Sequence, residues 1–462
     1  MPLPDPEVLR QMDRAGPRYT SYPTADRFVE AFTAVDYRRA LWARAQGVFA
    51  GQGALPLSVY LHIPFCESVC YYCACNKIVT RHHDRAGPYL DALAKEVALH
   101  VEQLGHGQPV SQLHFGGGTP TFLSDDELAR LLELLRASFK LLPNAEIAVE
   151  IDPRTVDPER LRRLAALGFN RISLGVQDVD PQVQRAVHRV QPEQTVRALL
   201  DEARSLGMVS TNVDLIYGLP LQSVASVQRT VASVSQMRPD RIALYGYAHL
   251  PQRFKPQRRI DDAQLPSGQT RLQMLATAIE GFTAAGYQYV GMDHFALPSD
   301  SLAVAKRQGL LHRNFQGYST RPECDLIGLG VSAIGSVGAS YSQNAKTLPE
   351  YYDALAQGQF PVGRGLILSR DDVLRRAVIM SLMCQGRIGF EEISQANLID
   401  AQAYFASELK RLEPLQALGL VIVDDEAVEV TDIGWYLVRA IAMVFDRYAQ
   451  ADRLRAQFSR IV

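Results

Sequence analysis

The order of strand-like and helix-like segments predicts an α/β fold built on a parallel sheet. Three observations carry that expectation. Short β-branched or aromatic runs alternate with amphipathic stretches of helical period over roughly the first 300 residues. Several of the strand candidates are apolar at nearly every position, as strands covered on both faces are. Gly168, Gly207 and Gly286 fall just past three helix ends, where a left-handed residue closes the last turn.

Strands are expected at 57–63, 112–115, 146–152, 171–177, 211–217 and 241–247. Helices are expected between and after them at 89–104, 125–141, 157–167, 192–206, 223–237 and 267–285. The second helix opens with Ser124-Asp-Asp-Glu127, a capping box in which serine and glutamate satisfy each other's backbone N–H groups. Six β-then-α units in a row fit a partial barrel and a doubly wound sheet equally well. Residues 1–50, rich in Pro and Tyr, read as an N-terminal arm, and 51–365 as the sheet-bearing unit with an extension. Residues 366–462 read as a smaller, mainly α-helical C-terminal domain. Its helices are expected at 370–383, 391–394, 402–418 and 432–445, with a strand pair at 419–423 and 427–430.

Composition removes several classes of function. The 462 residues carry 48 basic and 50 acidic side chains, so no global field holds a polyanion such as nucleic acid. The apolar runs fall well short of the ~18 residues a membrane span needs. The opening Met-Pro-Leu-Pro-Asp-Pro-Glu lacks the basic-then-apolar pattern of a secretory signal, so a cytoplasmic location is expected.

Against this ordinary background, four of the six cysteines crowd into ten positions: Cys66, Cys70, Cys73 and Cys75. In a reducing compartment such crowding reads as metal or redox chemistry rather than as disulfides. Structural zinc sites take two separated cysteine pairs, and no partner pair exists elsewhere. Three thiolates at x3 and x2 spacing on one loop suit a [4Fe–4S] cluster with one iron left open. A zinc knuckle and a redox-switch loop are the alternatives. Gly116-Gly117-Gly118, after a strand and before a helix, fits a backbone that approaches a ligand closely.

The Cys-x3-Cys-x2-Cys spacing resembles the signature of the radical S-adenosylmethionine superfamily. Further stretches resemble the oxygen-independent coproporphyrinogen III dehydrogenase family within it. They are Pro17-Arg-Tyr-Thr-Ser-Tyr-Pro-Thr24, Tyr60-Leu-His-Ile-Pro-Phe-Cys66, Cys75-Asn-Lys-Ile-Val79 and His114-Phe-Gly-Gly-Gly-Thr-Pro-Thr121. Asn212-Val-Asp-Leu-Ile-Tyr-Gly-Leu-Pro220, Tyr247-Ala-His-Leu-Pro251, Gly291-Met-Asp-His-Phe295 and His312-Arg-Asn-Phe-Gln-Gly-Tyr318 extend the likeness, which runs to Gln457-Phe-Ser-Arg460.

The resemblance implies a partial (β/α)6 TIM-like barrel whose strand ends converge on one mouth. It implies that Cys66, Cys70 and Cys73 bind a [4Fe–4S] cluster, and that Cys75 is needed without being a ligand. Two S-adenosylmethionine molecules are implied. Tyr60, Gly117 and Glu150 would contact the cluster-bound one. Tyr72, Gly118, Thr119, Gln177, Arg189, Ala248 and Ile334 would contact the second, with Asp214 between the two. Catalytic roles are implied for Cys75, Gln316 and Tyr60.

The implied reaction starts when the cluster reduces the sulfonium to a 5′-deoxyadenosyl radical. The radical takes a hydrogen from a substrate propionate; loss of CO2 and one electron leaves a vinyl group. Two such events turn coproporphyrinogen III into protoporphyrinogen IX. A low-potential donor such as flavodoxin or ferredoxin is implied, with an unknown terminal electron acceptor and a monomeric enzyme. The tetracarboxylate substrate needs local cations; Arg18, Arg253, Lys255, Arg258, Arg259 and Arg313 are candidates. Tyr19 and Tyr22 either cover the macrocycle or pack the arm down. A heme-binding carrier on the same scaffold, and a related radical enzyme acting on heme, are the competing readings.

Overall fold

In the computed structural model, residues 5–12, 15–47, 55–292, 294–321 and 324–451 are described. The C-terminal Gln457–Arg460 stretch and Asp293 of the Gly291–Phe295 motif lie outside them. Six parallel strands form the centre: β1 (Leu57–Ile63), β2 (Gln108–Gly117), β3 (Phe139–Ile151), β4 (Arg171–Gln177), β5 (Ser210–Tyr217) and β6 (Arg241–Gly246). They pair in chain order, Tyr60 opposite His114 and Asp214 opposite Ala243. Helices α1 (Ala86–Leu104), α2 (Asp125–Ser138), α3 (Pro158–Ala166), α4 (Glu193–Ser205), α5 (Val224–Met237) and α6 (Gly268–Ala284) follow the strands in turn.

The sheet continues on both sides. Antiparallel β8 (His294–Ala296) and β7 (Gln288–Gly291) extend it beyond β6. On the other edge β9 (Leu326–Leu329) runs parallel to β1, followed by antiparallel β10 (Ile334–Val337), β11 (Ser340–Asn344) and β12 (Val362–Ile367). Twelve strands thus make one open sheet, and its central six are a partial (β/α)6 barrel.

The inner face of that barrel departs from the expectation of strands buried among apolar neighbours on both sides. Only β1 is close to uniformly buried. In β4 and β5 the outward Ile172, Leu174, Val176, Val213 and Leu215 pack into the core, while Ser173, Gly175, Gln177, Asn212 and Asp214 turn inward. The period-2 alternation therefore separates a helix-covered face from one that lines a cavity.

Local signals placed the elements well where a cap was present. Ser124 and Glu127 form the expected reciprocal box, with Glu127 N donating to Ser124 Oγ at 3.2 Å and Ser124 N donating to Glu127 Oε2 at 2.8 Å. Gly168, Gly207 and Gly286 all adopt positive φ. The helix expected to 141 stops at Ser138, because buried Phe139 pairs with Gln108 and begins a strand that reaches Ile151. The helix expected over 402–418 breaks at Phe405 into Ala401–Tyr404 and Ala406–Ala417. The 432–445 stretch divides into 3-10, α and 3-10 turns. A third strand, Arg387–Gly389, joins the expected C-terminal pair.

The arm lies between the sheet and the C-terminal segment. Val29 pairs with Gly365 of β12, N to O at 2.8 Å. Tyr19 and Tyr22 are fully buried: Tyr19 Oη donates to Asp446 Oδ2 at 2.9 Å, and Tyr22 Oη accepts from Arg447 N at 3.3 Å. Both tyrosines pack the arm down. Arg439, buried under the arm, donates to the carbonyls of Gly16 and Pro17.

Candidate active site

The cysteine loop leaves the end of β1 and is closed at its base by a small parallel pairing. Phe65–Cys66 lies beside Ile78–Val79, with Ile78 N donating to Pro64 O at 2.7 Å and Thr80 N to Cys66 O at 2.8 Å. The His62 ring lies beneath the outgoing limb, Nε2 2.9 Å from Asn76 O. Cys66, Cys70 and Cys73 all line one cavity of about 590 Å³ at the C-terminal mouth of the barrel.

The three thiols differ in surroundings. Burial pushes Cys66 up to about 11, and its Sγ stands 3.4 Å from Thr119 Oγ1. A hydrogen bond from Cys75, with Lys77 close by, holds Cys73 down to about 5, and the same bond pushes Cys75 up. Cys70 Sγ accepts from Arg189 Nη1 at 3.4 Å and Arg154 Nη2 at 3.5 Å. The donor set fits a [4Fe–4S] cluster: three sulfurs on one loop facing one cavity, with fixed cations to balance their charge.

The glycine turn is required by packing as much as by any ligand. A Cβ at Gly118 would lie 2.6 Å from Pro64 O, and one at Gly117, where φ is +120°, 2.8 Å from Ile63 O. The turn is thereby pressed against the base of the cysteine loop. Glu150, one position before the end of β3, is held by His114 Nε2 at 3.1 Å and Gly117 N at 3.3 Å. Asp214 accepts from Ser173 Oγ at 2.7 Å and Asn212 Nδ2 at 2.9 Å, and burial raises its carboxyl to about 6.

Arg189 donates to Gly175 O at 2.6 Å and to Asp152 Oδ2 at 3.1 Å. Against burial, the hydrogen bond from Arg154 and the charge of Arg189 hold Asp152 below the usual carboxylate range. Gln177 closes β4 with φ at +67°, a strained conformation for a non-glycine residue and one that clusters at functional sites.

Tyr72, Cys75, Gly117, Gly118, Thr119, Glu150, Gln177, Arg189, Asp214 and Gln316 share the cavity wall with the three cysteines. Tyr60, Ala248 and Ile334 are not on that wall. Tyr60 stacks on His114 at 5.8 Å between ring centroids. Ala248 O accepts from Gln257 Nε2 at 3.2 Å, which also donates to Tyr72 O at 2.9 Å. Ile334 packs beside Phe28 and Tyr341. Among the described residues, the buried Gln316 Nε2 has no hydrogen-bond partner.

Of the candidate cations, Arg18 lies 5.3 Å from the Tyr245 ring centroid, and buried Arg313 donates to Arg18 O at 3.3 Å. Arg253, Lys255, Arg258 and Arg259 are exposed and lie off the cavity wall. Sequence reasoning missed His114, Ser173 and Asn212, which anchor the site's charges from neighbouring strands, and Asp152 and Arg154, which do so from the turn after β3. Inward alternation along β2 to β5 was the signal that could have found His114, Ser173 and Asn212. No helix among the described residues is long and apolar enough to cross a membrane.

Comparison with known proteins agrees with this geometry. Residues 60–234 match the Radical SAM superfamily, and residues 368–437 match the HemN C-terminal domain. The chain is 47% identical over 458 residues to the oxygen-independent coproporphyrinogen III oxidase of Escherichia coli K12, covering 99% of this chain and 98% of that one. It is 47% identical over 460 residues to the corresponding protein of Pseudomonas aeruginosa, with 99% and 98% covered. The solved structure of coproporphyrinogen III oxidase (HemN) from Escherichia coli, a radical SAM enzyme, matches with a TM-score of 0.90 at 47% identity, covering 96% of this chain and 99% of that one. The chain belongs to the oxygen-independent coproporphyrinogen III oxidase family of radical S-adenosylmethionine enzymes.

Proposed function

We propose that this protein decarboxylates two propionates of coproporphyrinogen III to vinyl groups without oxygen, giving protoporphyrinogen IX. The observation that carries the reading is the meeting of Cys66, Cys70 and Cys73 with Glu150, Asp214 and Gln316 around one cavity. Cys66, Cys70 and Cys73 would hold a [4Fe–4S] cluster whose fourth iron binds S-adenosylmethionine. When bound, the cluster and S-adenosylmethionine supply a 5′-deoxyadenosyl radical that abstracts hydrogen from a propionate.

The chain's own groups bind and orient. Arg154 and Arg189 donate to the Cys70 sulfur and hold it in place. Tyr60, Gly117 and Glu150 serve the cluster-bound S-adenosylmethionine, the Glu150 carboxylate kept in place by His114. Tyr72, Gly118, Thr119, Gln177, Arg189, Ala248 and Ile334 serve a second one, with Asp214 between them. Arg189 suits a carboxylate, and the Glu150 and Asp214 carboxylates suit hydroxyl and ammonium groups. Cys75, Gln316 and Tyr60 act on the substrate side of the chemistry, and the clamped arm keeps water out. The enzyme works as a cytoplasmic monomer, supplied with electrons by a low-potential carrier such as flavodoxin or ferredoxin.

An anaerobic assay with coproporphyrinogen III, dithionite and S-adenosylmethionine tests this. The expected result is protoporphyrinogen IX with one 5′-deoxyadenosine for each vinyl group formed. Stoichiometric heme binding with no 5′-deoxyadenosine would replace the enzyme with a carrier.

A further inference from the structure

A second hollow, of about 570 Å³, opens behind the cysteine loop. Its floor is apolar, from Ile78, Pro88, Val331, Leu348 and Tyr352, and Arg85 and Lys346 stand on its rim. The hollow is joined to the loop itself. Asn76, directly after Cys75, lines it and donates from Nδ2 to Lys346 O at 3.1 Å. Lys77 Nζ donates to Cys73 O at 3.0 Å. The outer limb of the loop is exposed at Ala74 and Asn76, with Cys75 between them on the active-site cavity wall, and Val79 beside it is 46% exposed.

The charge on this face departs from that of the whole. The chain has a net charge of −2. Along 76–88 and 346–353, Lys77, Arg81, Arg85 and Lys346 stand against Asp84, Glu350 and Asp353. The three acids lie off the hollow's lining, whose charged side chains are Arg85 and Lys346. Burial, and after it the charges of Arg364 and Arg253, push the Lys346 ammonium down; Asp26 and Glu30 face Arg364. Cations crowded at a surface repel one another, and an acidic partner relieves that repulsion. An apolar floor with a charged rim is the anatomy of a transient protein interface.

We propose that this hollow is the docking face for an acidic, low-potential electron-carrier protein, delivering one electron at a time through the outer limb of the cysteine loop. The inference rests on the reading of Cys66, Cys70 and Cys73 as a [4Fe–4S] centre and names where its electron enters. At each docking the carrier's flavin or iron–sulfur group is oxidised by one electron, and the centre at the three cysteines is reduced by one.

The test uses the anaerobically purified holoenzyme carrying Arg85→Glu and Lys346→Glu, with flavodoxin as the carrier probe. A control carries the same charge change at Lys140→Glu, on the opposite end of the barrel, and Lys410→Glu. Thermophoresis of labelled flavodoxin should show wild-type affinity falling with salt, and the double variant binding about tenfold more weakly at low salt than the wild type or the control. At sub-saturating reduced flavodoxin, 5′-deoxyadenosine formation should fall by the same factor, while dithionite-driven formation matches the wild type.

Unchanged flavodoxin affinity overturns the proposal. An equal loss under dithionite overturns it as well, because the two residues would then support the loop rather than a partner. A raised KM for coproporphyrinogen III under dithionite would assign the cations to the substrate and so overturn it too. If the wild type cleaves S-adenosylmethionine under dithionite but leaves the porphyrinogen untouched, the substrate reading fails and the docking result still stands.

Discussion

Cys70 is the cysteine with two guanidinium groups against its sulfur, and Cys73 the one whose neighbour donates a hydrogen bond to it. Cys73 is thereby biased toward thiolate before any metal arrives, whereas Cys66, pushed up to about 11 by burial, gives up its proton on loading. Replacing Cys66, Cys70 or Cys73 by Ser is expected to abolish the brown iron–sulfur absorbance and all S-adenosylmethionine cleavage. Iron analysis and 5′-deoxyadenosine assays check this, and retained cleavage in any one variant removes that residue from the ligand set. Gln316 poses a different question, because its buried amide nitrogen lacks a partner in the free protein. A buried donor left unmatched costs about 1–3 kcal/mol, recovered when a substrate acceptor reaches it. Gln316→Leu should therefore lower kcat/KM for coproporphyrinogen III about 10–100-fold. The cluster absorbance and substrate-free S-adenosylmethionine cleavage should stay at wild-type levels.

The arm shows how an element without a core of its own becomes part of the site. It buries Tyr19, Tyr22, Phe28, Phe32, Tyr37 and Leu41 in the shared core, and a set of long-range hydrogen bonds fixes its N-terminal stretch. Arg439 holds the Gly16 and Pro17 carbonyls, Asp446 holds Tyr19, and Tyr341 Oη donates to Tyr22 O at 3.0 Å. Those anchors set Arg18 beside Tyr245 at the cavity. Arg439→Ala should release the arm, so trypsin cuts near Arg18 sooner and decarboxylation falls about tenfold or more, while the barrel's cluster absorbance persists. Resistance to trypsin equal to the wild type would separate Arg439 from the arm. The same element marks the limit of what was legible in the chain. Barrel strands and helices were readable from period, caps and glycines, and the cysteine loop from spacing alone. The clamp was not, because each bond joins residues some 300 to 400 positions apart. Strand β11, Ser-Tyr-Ser-Gln-Asn, was equally hidden: it is buried at every position yet mostly polar, so neither pattern nor propensity announces it.

At the scale of the molecule, fully buried Glu96 and His100 and part-buried His294, which lines the cavity, set opposing demands on pH. Glu96 of α1 ties the helix to the sheet extension, accepting from Tyr351 Oη at 2.6 Å, Asn344 Nδ2 at 2.7 Å and Gly330 N at 2.8 Å. Burial still raises its carboxyl from 4.5 to about 7. A raised carboxyl binds its proton more tightly when folded, so its stabilisation is complete below pH 4.5 and is lost as pH climbs to about 7. His100 and His294 work the other way: burial lowers them from 6.5 to about 4 and about 3. Their stabilisation is present above pH 6.5 and is lost as pH falls toward those values. Each group contributes a slope of roughly 1.4 kcal/mol per pH unit within its window. Between pH 4.5 and 6 the two histidines are matched by Glu96 and by Asp214, whose carboxyl burial raises to about 6; from 6 to 6.5 they outweigh Glu96, and from 6.5 to 7 Glu96 alone of the four is still changing. Their joint contribution therefore peaks near pH 6.5, where the rising and falling limbs meet. In anaerobic thermal melts, Tm should stay nearly level from pH 5 to 6, rise to a maximum at about 6.5 and slip back by pH 7. Glu96→Gln should lower Tm throughout, since an amide cannot accept from all three donors, yet erase the decline above pH 6.5. A wild-type decline that survives unchanged in Glu96→Gln would mean that another group governs the alkaline side.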